Sequence, residues 1–283
     1  MLLAAVVIFA FTYLTISVQR FPYFHLDRTS GAMIGAVAMV AFGVLTIDEA
    51  YQSINLDTIV LLLGMMIVVA YLQVSGFFDL VAKFILKRAN TGKRLLLTII
   101  ISSGSLSAFL VNDTICVIMT PFVLLLTRRS QADPKPYLFA LATSANIGSV
   151  ATLVGNPPNM LVGTFSHWRY LHFFFAMLPI AVAGLMVDFF VLKFFFKDKM
   201  EHTLKVHEIK HEHKLDRPLF YKALFVMLIA IIGFSAGVKL AFMAILGAAI
   251  LILAANKRPD EIFAKINWSL LLFFASLFIV VGE

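Results

Sequence analysis

The feature that most constrains this chain is a succession of apolar runs, at residues 2–18, 31–47, 57–76, 95–110, 114–127, 136–166, 170–196, 218–236, 240–255 and 268–283. In lipid such a run finds no water for its peptide groups, so it must close its own hydrogen bonds as a helix. About 20 residues of helix cross the hydrocarbon layer. Composition agrees: 61% of residues are hydrophobic and the mean hydropathy is +0.93, where soluble domains hold about 45–50% apolar residues. The expected fold class is an all-α polytopic membrane protein whose first partner is the lipid bilayer. Met1 to Val18 has no positive charge before it, and Arg20 follows it, so the run reads as a retained first helix and not a secretory signal.

The net charge of +7 would suggest nucleic acid in a soluble protein. Here Lys and Arg gather in a few short loops, as the positive-inside rule requires, and no nucleic acid is implied. Cys116 is the one cysteine, so no intrachain disulfide forms; in its apolar run it reads as a small core residue.

The basic loops orient the chain. Lys83, Lys87, Arg88, Lys93 and Arg94 lie in a loop at 77–94, and Arg128, Arg129 and Lys135 follow residue 127. Both ends of 95–127 are therefore cytoplasmic. The runs 95–110 and 114–127 are short for spanning and are parted by Val111-Asn112-Asp113, so 95–127 reads as one re-entrant helical hairpin. The loop at 48–56 has Asp48 and Glu49 but no Lys or Arg and reads as external; Arg20 and Arg28 are internal, which puts the N-terminus outside. Segment 136–166 then crosses outward and 170–196 returns to Lys193, Lys197 and Lys199. After a cytoplasmic loop at 197–217, segment 218–236 leaves and 240–255 comes back to Lys257, Arg258 and Lys265. The expected location is a bacterial or archaeal plasma membrane.

A repeat lies under this topology. Asp48-Glu49-Ala50-Tyr51-Gln52-Ser53-Ile54-Asn55 and Asp260-Glu261-Ile262-Phe263-Ala264-Lys265-Ile266-Asn267 share Asp, Glu, Ile and Asn in place at an offset of 212. The same offset pairs Gly35 with Gly247 and Ala36 with Ala248. Asp48 falls outside and Asp260 inside, so the repeat is inverted, as in many secondary transporters. Residues 1–196 make the first repeat and 218–283 the start of a second, incomplete one. The chain is accordingly expected to be truncated; the competing expectation is a natural half-size protein that forms a homodimer.

Two places concentrate polar chemistry at membrane depth. The first is the hairpin tip, Asn112-Asp113-Thr114, after Ser102-Ser103-Gly104-Ser105. One helix ends there with free carbonyls and the next begins with free N–H groups and partial positive charge. An ionisable group at that depth is a functional candidate, although Asp113 would also serve as a simple helix cap. The second runs from Ser144 through Asn146, Gly148, Thr152, Gly155 and Asn156 to Pro157 and Pro158. Two prolines cannot continue a helix. The span 136–166 must break near Gly155-Asn156, with Asn156 capping the half-helix that starts at the prolines. Half-helix ends and unwound carbonyls form the ion and substrate sites of carriers.

The string Ser-Ala-Asn-Ile-Gly-Ser-Val-Ala-Thr-Leu-Val-Gly-Asn-Pro-Pro-Asn at 144–159, with Val-Asn-Asp-Thr at 111–114 and Thr-Pro-Phe at 120–122, resembles the first-repeat signature of the ion transporter superfamily. That group includes divalent-anion/sodium symporters, citrate-transporter-like permeases, arsenite efflux permeases and sodium/proton antiporters. The resemblance implies that Asn112, Asp113 and Thr114 at the tip, and Asn146, Gly148, Thr152, Gly155 and Asn156 at the break, bind the coupling ion and touch the substrate. Carboxylate symporters of the group usually carry Ser-Asn-Thr where this chain has Val-Asn-Asp-Thr. Asp113 would repel a dicarboxylate unless a cation or proton neutralised it.

Other signals carry less. His207-Glu208-Ile209-Lys210-His211 matches H-E-x-x-H, which on a helix sets two zinc ligands on one face. It sits in a polar loop with six Lys or Arg and five Asp or Glu, so His207 and His211 are weak metal candidates and a membrane metalloprotease a remote reading. Asp188 lies about 12 Å along its helix from the inner end. Two readings of it stay open: a proton path, or a carboxylate that pairs or snorkels near the interface. The functional expectation is a secondary active transporter, not an enzyme. It would move an anion or small ion by alternating access with Na+ or H+ as coupling ion, and needs no cofactor. A non-transporting or dimerising half-carrier is the alternative. A channel is disfavoured because the polar clusters are isolated.

Overall fold

In a computed structural model, residues 2–18, 26–166, 168–200 and 215–282 are described. The elements among them are helices. Arg20, His207 and His211 lie outside the described residues, as do the neighbouring His202, Glu208, Ile209, Lys210 and His213.

Local chemistry explains where the helices begin and end. Helix α1 spans Leu2–Ser17 and α2 spans Arg28–Ala41, shifted towards the N-terminus from the expected 31–47. Asp27 caps α2 by accepting from the Ser30 N–H at 2.8 Å. Gly43 ends it at φ +67°, with its N–H on Val40 O and the Val44 N–H on Met39 O. These paired bonds around a left-handed glycine form a Schellman stop. The stretch expected as a loop at 48–56 contains a short helix, α3 (Ile47–Ser53). Thr46 and Glu49 close a capping box there: the Thr46 N–H donates to Glu49 Oε2 at 2.7 Å and the Glu49 N–H to Thr46 Oγ1 at 3.2 Å. Helix α4 follows at Leu56–Val74.

The loop expected at 77–94 is also largely helical. Helix α5 (Phe77–Arg88) buries Phe78, Ala82, Ile85 and Leu86 on one face and leaves its basic residues on the other. That spacing is a helical period, which a search for continuous apolar runs passes over. Helix α6 (Gly92–Phe109) and α7 (Asn112–Arg129) have 18 residues each. Both run further into the basic ends than the expected hairpin of 95–127, and each is about 27 Å long. Helix α8 (Lys135–Ser149) and α9 (Pro157–Ser166) share the long run at 136–166. Then come α10 (Tyr170–Phe195), α11 (Arg217–Ser235), α12 (Leu240–Ala254), α13 (Pro259–Phe263) and α14 (Trp268–Val281). A 3-10 turn, Lys197–Lys199, follows α10.

Among the described residues three helices are long and apolar enough to cross a membrane: α4, α10 and α11; α1, α2, α12 and α14 are shorter apolar helices. The outer face of α10 is diagnostic. Phe175, Met186, Phe190 and Phe194 are 59–79% exposed on it. A continuous apolar surface of that size is stable against lipid, not water. The protein is an all-α polytopic membrane protein.

The chain divides into two compact units, Met1–Val60 with Asn267–Glu283, and Leu61–Ile266. In the first, α1, α2 and α14 pack through small residues. Methyl groups built at Gly31 and Gly35 of α2 would land on Thr15 and Thr12 of α1, so these glycines set how closely the two helices approach. Ile8, Ala36, Met39 and Val280 form an apolar cluster there, and Thr29 Oγ1 donates to Ser269 O at 3.2 Å. In the second unit α6 and α8 form the centre, with α5, α7 and α10 packed around them.

The offset of 212 reaches the elements themselves. Helices α2, α3 and α4 start at Arg28, Ile47 and Leu56; α12, α13 and α14 start at Leu240, Pro259 and Trp268, each 212 residues later. The caps match as well. Asn55 Oδ1 accepts from the Thr58 N–H at 2.8 Å, and Asn267 Oδ1 from the Leu270 N–H at 3.1 Å.

Candidate functional site

The site is built where four helix ends meet in the second unit. Helix α6 ends at Phe109 and α7 begins at Asn112. Their connection, Leu110-Val111, is buried, as irregular backbone at membrane depth must be. The N-cap position of α7 is Val111, whose side chain makes no capping bond. Asp113 is the second residue of the helix, so it is not the cap that closes this turn. Asp113 and Thr114 are both half-buried in the first turn.

Helix α8 ends at Ser149, with its last turn tightened by bonds from the Val150 N–H to Ile147 O and the Ala151 N–H to Gly148 O. Residues 150–156 are not helical, and α9 starts at Pro157. Asn156 caps α9 by accepting from the Asn159 N–H at 2.8 Å. Pro157 and Pro158 fill the first two helical positions, where a missing N–H costs nothing.

Side chains and backbone tie tip to break. The Asn112 N–H donates to Gly155 O at 3.0 Å. Asn112 Nδ2 donates to Asn146 Oδ1 at 2.7 Å, and Asn146 Nδ2 donates to Ala142 O at 3.1 Å. Because a backbone carbonyl can only accept, the last bond fixes which way the Asn146 amide points. That in turn makes Asn112 the donor and leaves Asn112 Oδ1 as the open atom. This oxygen is buried and accepts no hydrogen bond among the described residues. Thr152 Oγ1 donates to Ala108 O, the carbonyl near the end of α6. Ser149 Oγ receives Asn156 Nδ2 at 2.9 Å.

The two glycines of the motif act as spacers. A methyl at Gly148 would fall on the backbone of Gly104, and one at Gly155 on the Ser149 carbonyl. Ser144 is fully buried one turn back along α8, its Oγ 2.5 Å from Ser103 Oγ and donating to Ala140 O. The structure thus brings Asn112, Asn146, Thr152, Gly155 and Asn156 into one network, with Asp113 and Thr114 beside it and Ser144 and Gly148 behind it. Asp188 lies apart from this network, on the α10 side of α8, where Thr143 Oγ1 sits 3.0 Å from Asp188 Oδ2.

Sequence reasoning passed over Asn159. Its Nδ2 reaches Ser149 O at 3.3 Å, Val150 O at 3.2 Å and Thr152 O at 2.9 Å. One amide therefore serves three carbonyls released by the end of α8. The signal was available, since Asn159 stands at the third helical position after the cap Asn156. Ser103 was quoted before the hairpin tip but given no partner, because Ser144 is 41 residues away. Among the described residues no group of three or more His, Cys, Asp or Glu is placed to hold a metal.

Electrostatically, the site offers both signs. The C-terminal carbonyl ends of α6 and α8 carry partial negative charge and the N-termini of α7 and α9 partial positive charge. Paired half-helices with unwound carbonyls between them are built to hold a cation and an anion near each other. The profile of the citrate transporter family matches residues 6–282. This chain belongs to the citrate transporter family. The family lies within the group that the motifs at 111–114 and 144–159 resemble. An uncharacterised transporter of Mycobacterium tuberculosis is 32% identical over 297 residues, covering all of this chain and 68% of that protein. A silicon efflux transporter of Oryza sativa subsp. japonica is 39% identical over 171 residues, 60% of this chain and 35% of the relative. A putative transporter of Dictyostelium discoideum is 32% identical over 177 residues, 62% of this chain and 31% of the relative. The chain thus spans about a third of the length of two of these relatives and about two thirds of the mycobacterial one. Family and relatives are transporters, not enzymes.

Proposed function

We propose that this chain carries the ion- and solute-binding site of a secondary active transporter that works by alternating access. The observation that carries the reading is Asn112 Oδ1, a buried carbonyl oxygen without a donor, set where two helix C-termini and two N-termini converge. An unpaired buried acceptor is costly, and a Na+ or a proton carried by the solute would satisfy it. Asp113 places a carboxyl group in the same first turn of α7. An anion entering this site is favoured when it arrives with a cation, or as a weak, uncharged oxyacid. The family description names citrate, and the rice relative is named for silicon efflux. The matched helix starts of α2–α4 and α12–α14 support a repeat, the distribution of Lys and Arg supports its inversion and an external N-terminus, and the mycobacterial relative supports a prokaryotic plasma membrane. A homodimer belongs to the competing reading of a half-size protein.

The test is accumulation in proteoliposomes of labelled citrate, with and without Mg2+, and of silicic acid, under an inward Na+ or H+ gradient. One solute accumulates under one gradient, and Asn112→Ala weakens its apparent affinity at least tenfold, about 1.4 kcal/mol. Equilibration without accumulation for every solute would make the pathway a channel. No uptake at all would make the chain a half-carrier.

A further inference from the structure

Asp188 is a carboxylic acid that the site just described does not use. It sits seven residues before the end of α10 and is 8% exposed, while its neighbours Val187 and Phe190 are more than 60% exposed. It does not snorkel towards the interface but turns into the contact between α10 and α8. Around it, Gly184 packs on Ile147 of α8, Leu185 on Gly104 of α6, and Ala181 in a cluster with Ala108 of α6 and Ala151 of the break. Asp188 therefore meets α8 through Thr143, beside the faces that Ser144 and Gly148 turn to α6 and Asn146 turns to α7.

Hydrogen counting accommodates a proton on Asp188. Thr143 Oγ1 has one hydrogen and two near acceptors, Phe139 O at 2.7 Å and Asp188 Oδ2 at 3.0 Å. If Asp188 is a carboxylate, the hydroxyl must abandon Phe139 O to serve it. If Asp188 carries a proton, its O–H donates to Thr143 Oγ1 while Thr143 donates to Phe139 O, and both contacts are kept. Among the described residues Thr143 is its one hydrogen-bond partner, and it makes no ion pair.

The charged and titratable groups of the packed elements are engaged or distant. On α8, Lys135 is eight residues from Thr143, about 12 Å, and Tyr137 packs near Gly92. On α6, Lys93 and Arg94 are nine or more residues, about 14 Å, before Ser103, which is level with Ser144. On α10, Lys193 lies over the Phe189 ring and His172 is sixteen residues away. In the 3-10 turn, Lys199 pairs with Asp133, and Lys197 and Asp198 follow the end of α10. Helix α11, which carries Arg217, Tyr221 and Lys222, meets α10 at its far end, where Tyr170 is 5.6 Å from Phe234; Lys222 donates to Ala254 O. An uncompensated carboxylate in this seam would be expensive.

We propose that Asp188 is a proton-binding site of the transport cycle: it holds a proton while α8 and α10 are packed, and releases it to water as a hydronium ion when that seam opens. The proton returns from water to the same carboxylate on closing. This rests on the transporter reading and names the proton as a coupling ion held apart from Asn112. Asp188→Asn is the variant of choice, because its amide N–H donates to Thr143 Oγ1 as the acid O–H does and keeps the packing.

Two measurements separate the failures. Infrared spectra of the purified full chain at neutral pH should show the carbonyl stretch of a buried protonated carboxylic acid, absent from Asp188→Asn; identical spectra overturn the proposal, whether or not transport is seen. In proteoliposomes, Asp188→Asn should lose at least tenfold of the accumulation driven by a pH gradient and flatten the pH profile of uptake. Asp188→Glu should restore both in part. An unchanged pH profile in Asp188→Asn also overturns the proposal. Wild-type chain without any uptake would sink the transporter reading alone, and the infrared band would still decide whether Asp188 is protonated.

Discussion

Replacing Asn159 with alanine tests what holds the helix break together. In the intact protein its Nδ2 serves the carbonyls of Ser149, Val150 and Thr152 at 2.9–3.3 Å. Two hydrogens are shared among three acceptors, so two hydrogen bonds are lost. Each contributes about 0.5–1.5 kcal/mol net, and a buried carbonyl left without a donor costs about 1–3 kcal/mol. Val150 and Thr152 are little exposed or buried, and no bulk water reaches a membrane interior to replace the amide. The expected loss is about 2–4 kcal/mol. Asn156→Ala removes the cap of α9 and the bond to Ser149 Oγ and should cost less, about 1–2 kcal/mol. The assay is the denaturant or thermal unfolding midpoint of the purified protein in one detergent, with all variants side by side. Asn159→Asp is the decisive control: it keeps the shape but presents an acceptor to three acceptors, and should be worse than Asn159→Ala. If Asp is tolerated better than Ala, or if Asn159→Ala shifts the midpoint less than Asn156→Ala, hydrogen-bond donation is not what the residue contributes.

Two further outcomes follow from particular contacts. A methyl at Gly64 would lie 2.6 Å from the Ala244 carbonyl carbon and 2.7 Å from the Ile245 nitrogen, both backbone atoms that cannot swing aside; Gly64→Ala should cost about 1–3 kcal/mol by overpacking, and an unchanged unfolding midpoint contradicts this. Lys257 lies 2.9 Å from Asp216, and its hydrogen bond, with help from the Leu219 N–H, holds the Asp216 carboxyl below the usual carboxylate range. A depressed folded value means stability present above about pH 4, the unfolded value, and lost as pH falls through the lower folded one. Asp216→Asn should therefore lower stability at pH 7 by less than about 1 kcal/mol, and the difference should fade as pH falls through the lowered folded value; a difference undiminished in acid refutes the pairing.

Much of the architecture was legible because its causes are local. Pro157 and Pro158 stop a helix whatever surrounds them, and the span 136–166 does divide there, although α8 ends at Ser149, seven residues earlier than the prolines demand. The reason is that residues 150–156 are held by Asn159 and Thr152, which a proline rule does not see. The short helix at Ile47–Ser53 was missed although Thr46-x-x-Glu49 is a capping box in plain sight. Helix α5 was missed because its signal is one buried face among basic residues, not an apolar run. At the site, residue types were readable but partners were not. Asn112 finds Asn146 across 34 residues and Thr143 finds Asp188 across 45, separations at which no periodicity connects them. Asp113 shows the limit of reading a cap from residue type: it stands inside the turn that a valine opens.

The crossing of α6 and α8 at Gly104 and Gly148 has a mechanical consequence. Two backbones in direct contact leave no layer of side chains to shear, so the pair has no slack along the seam. Hairpin tip and helix break are thereby geared together, and a displacement of one is delivered undamped to the other. Any motion that turns this binding site towards a new compartment must move both as a single piece, with the sliding surface elsewhere in the protein.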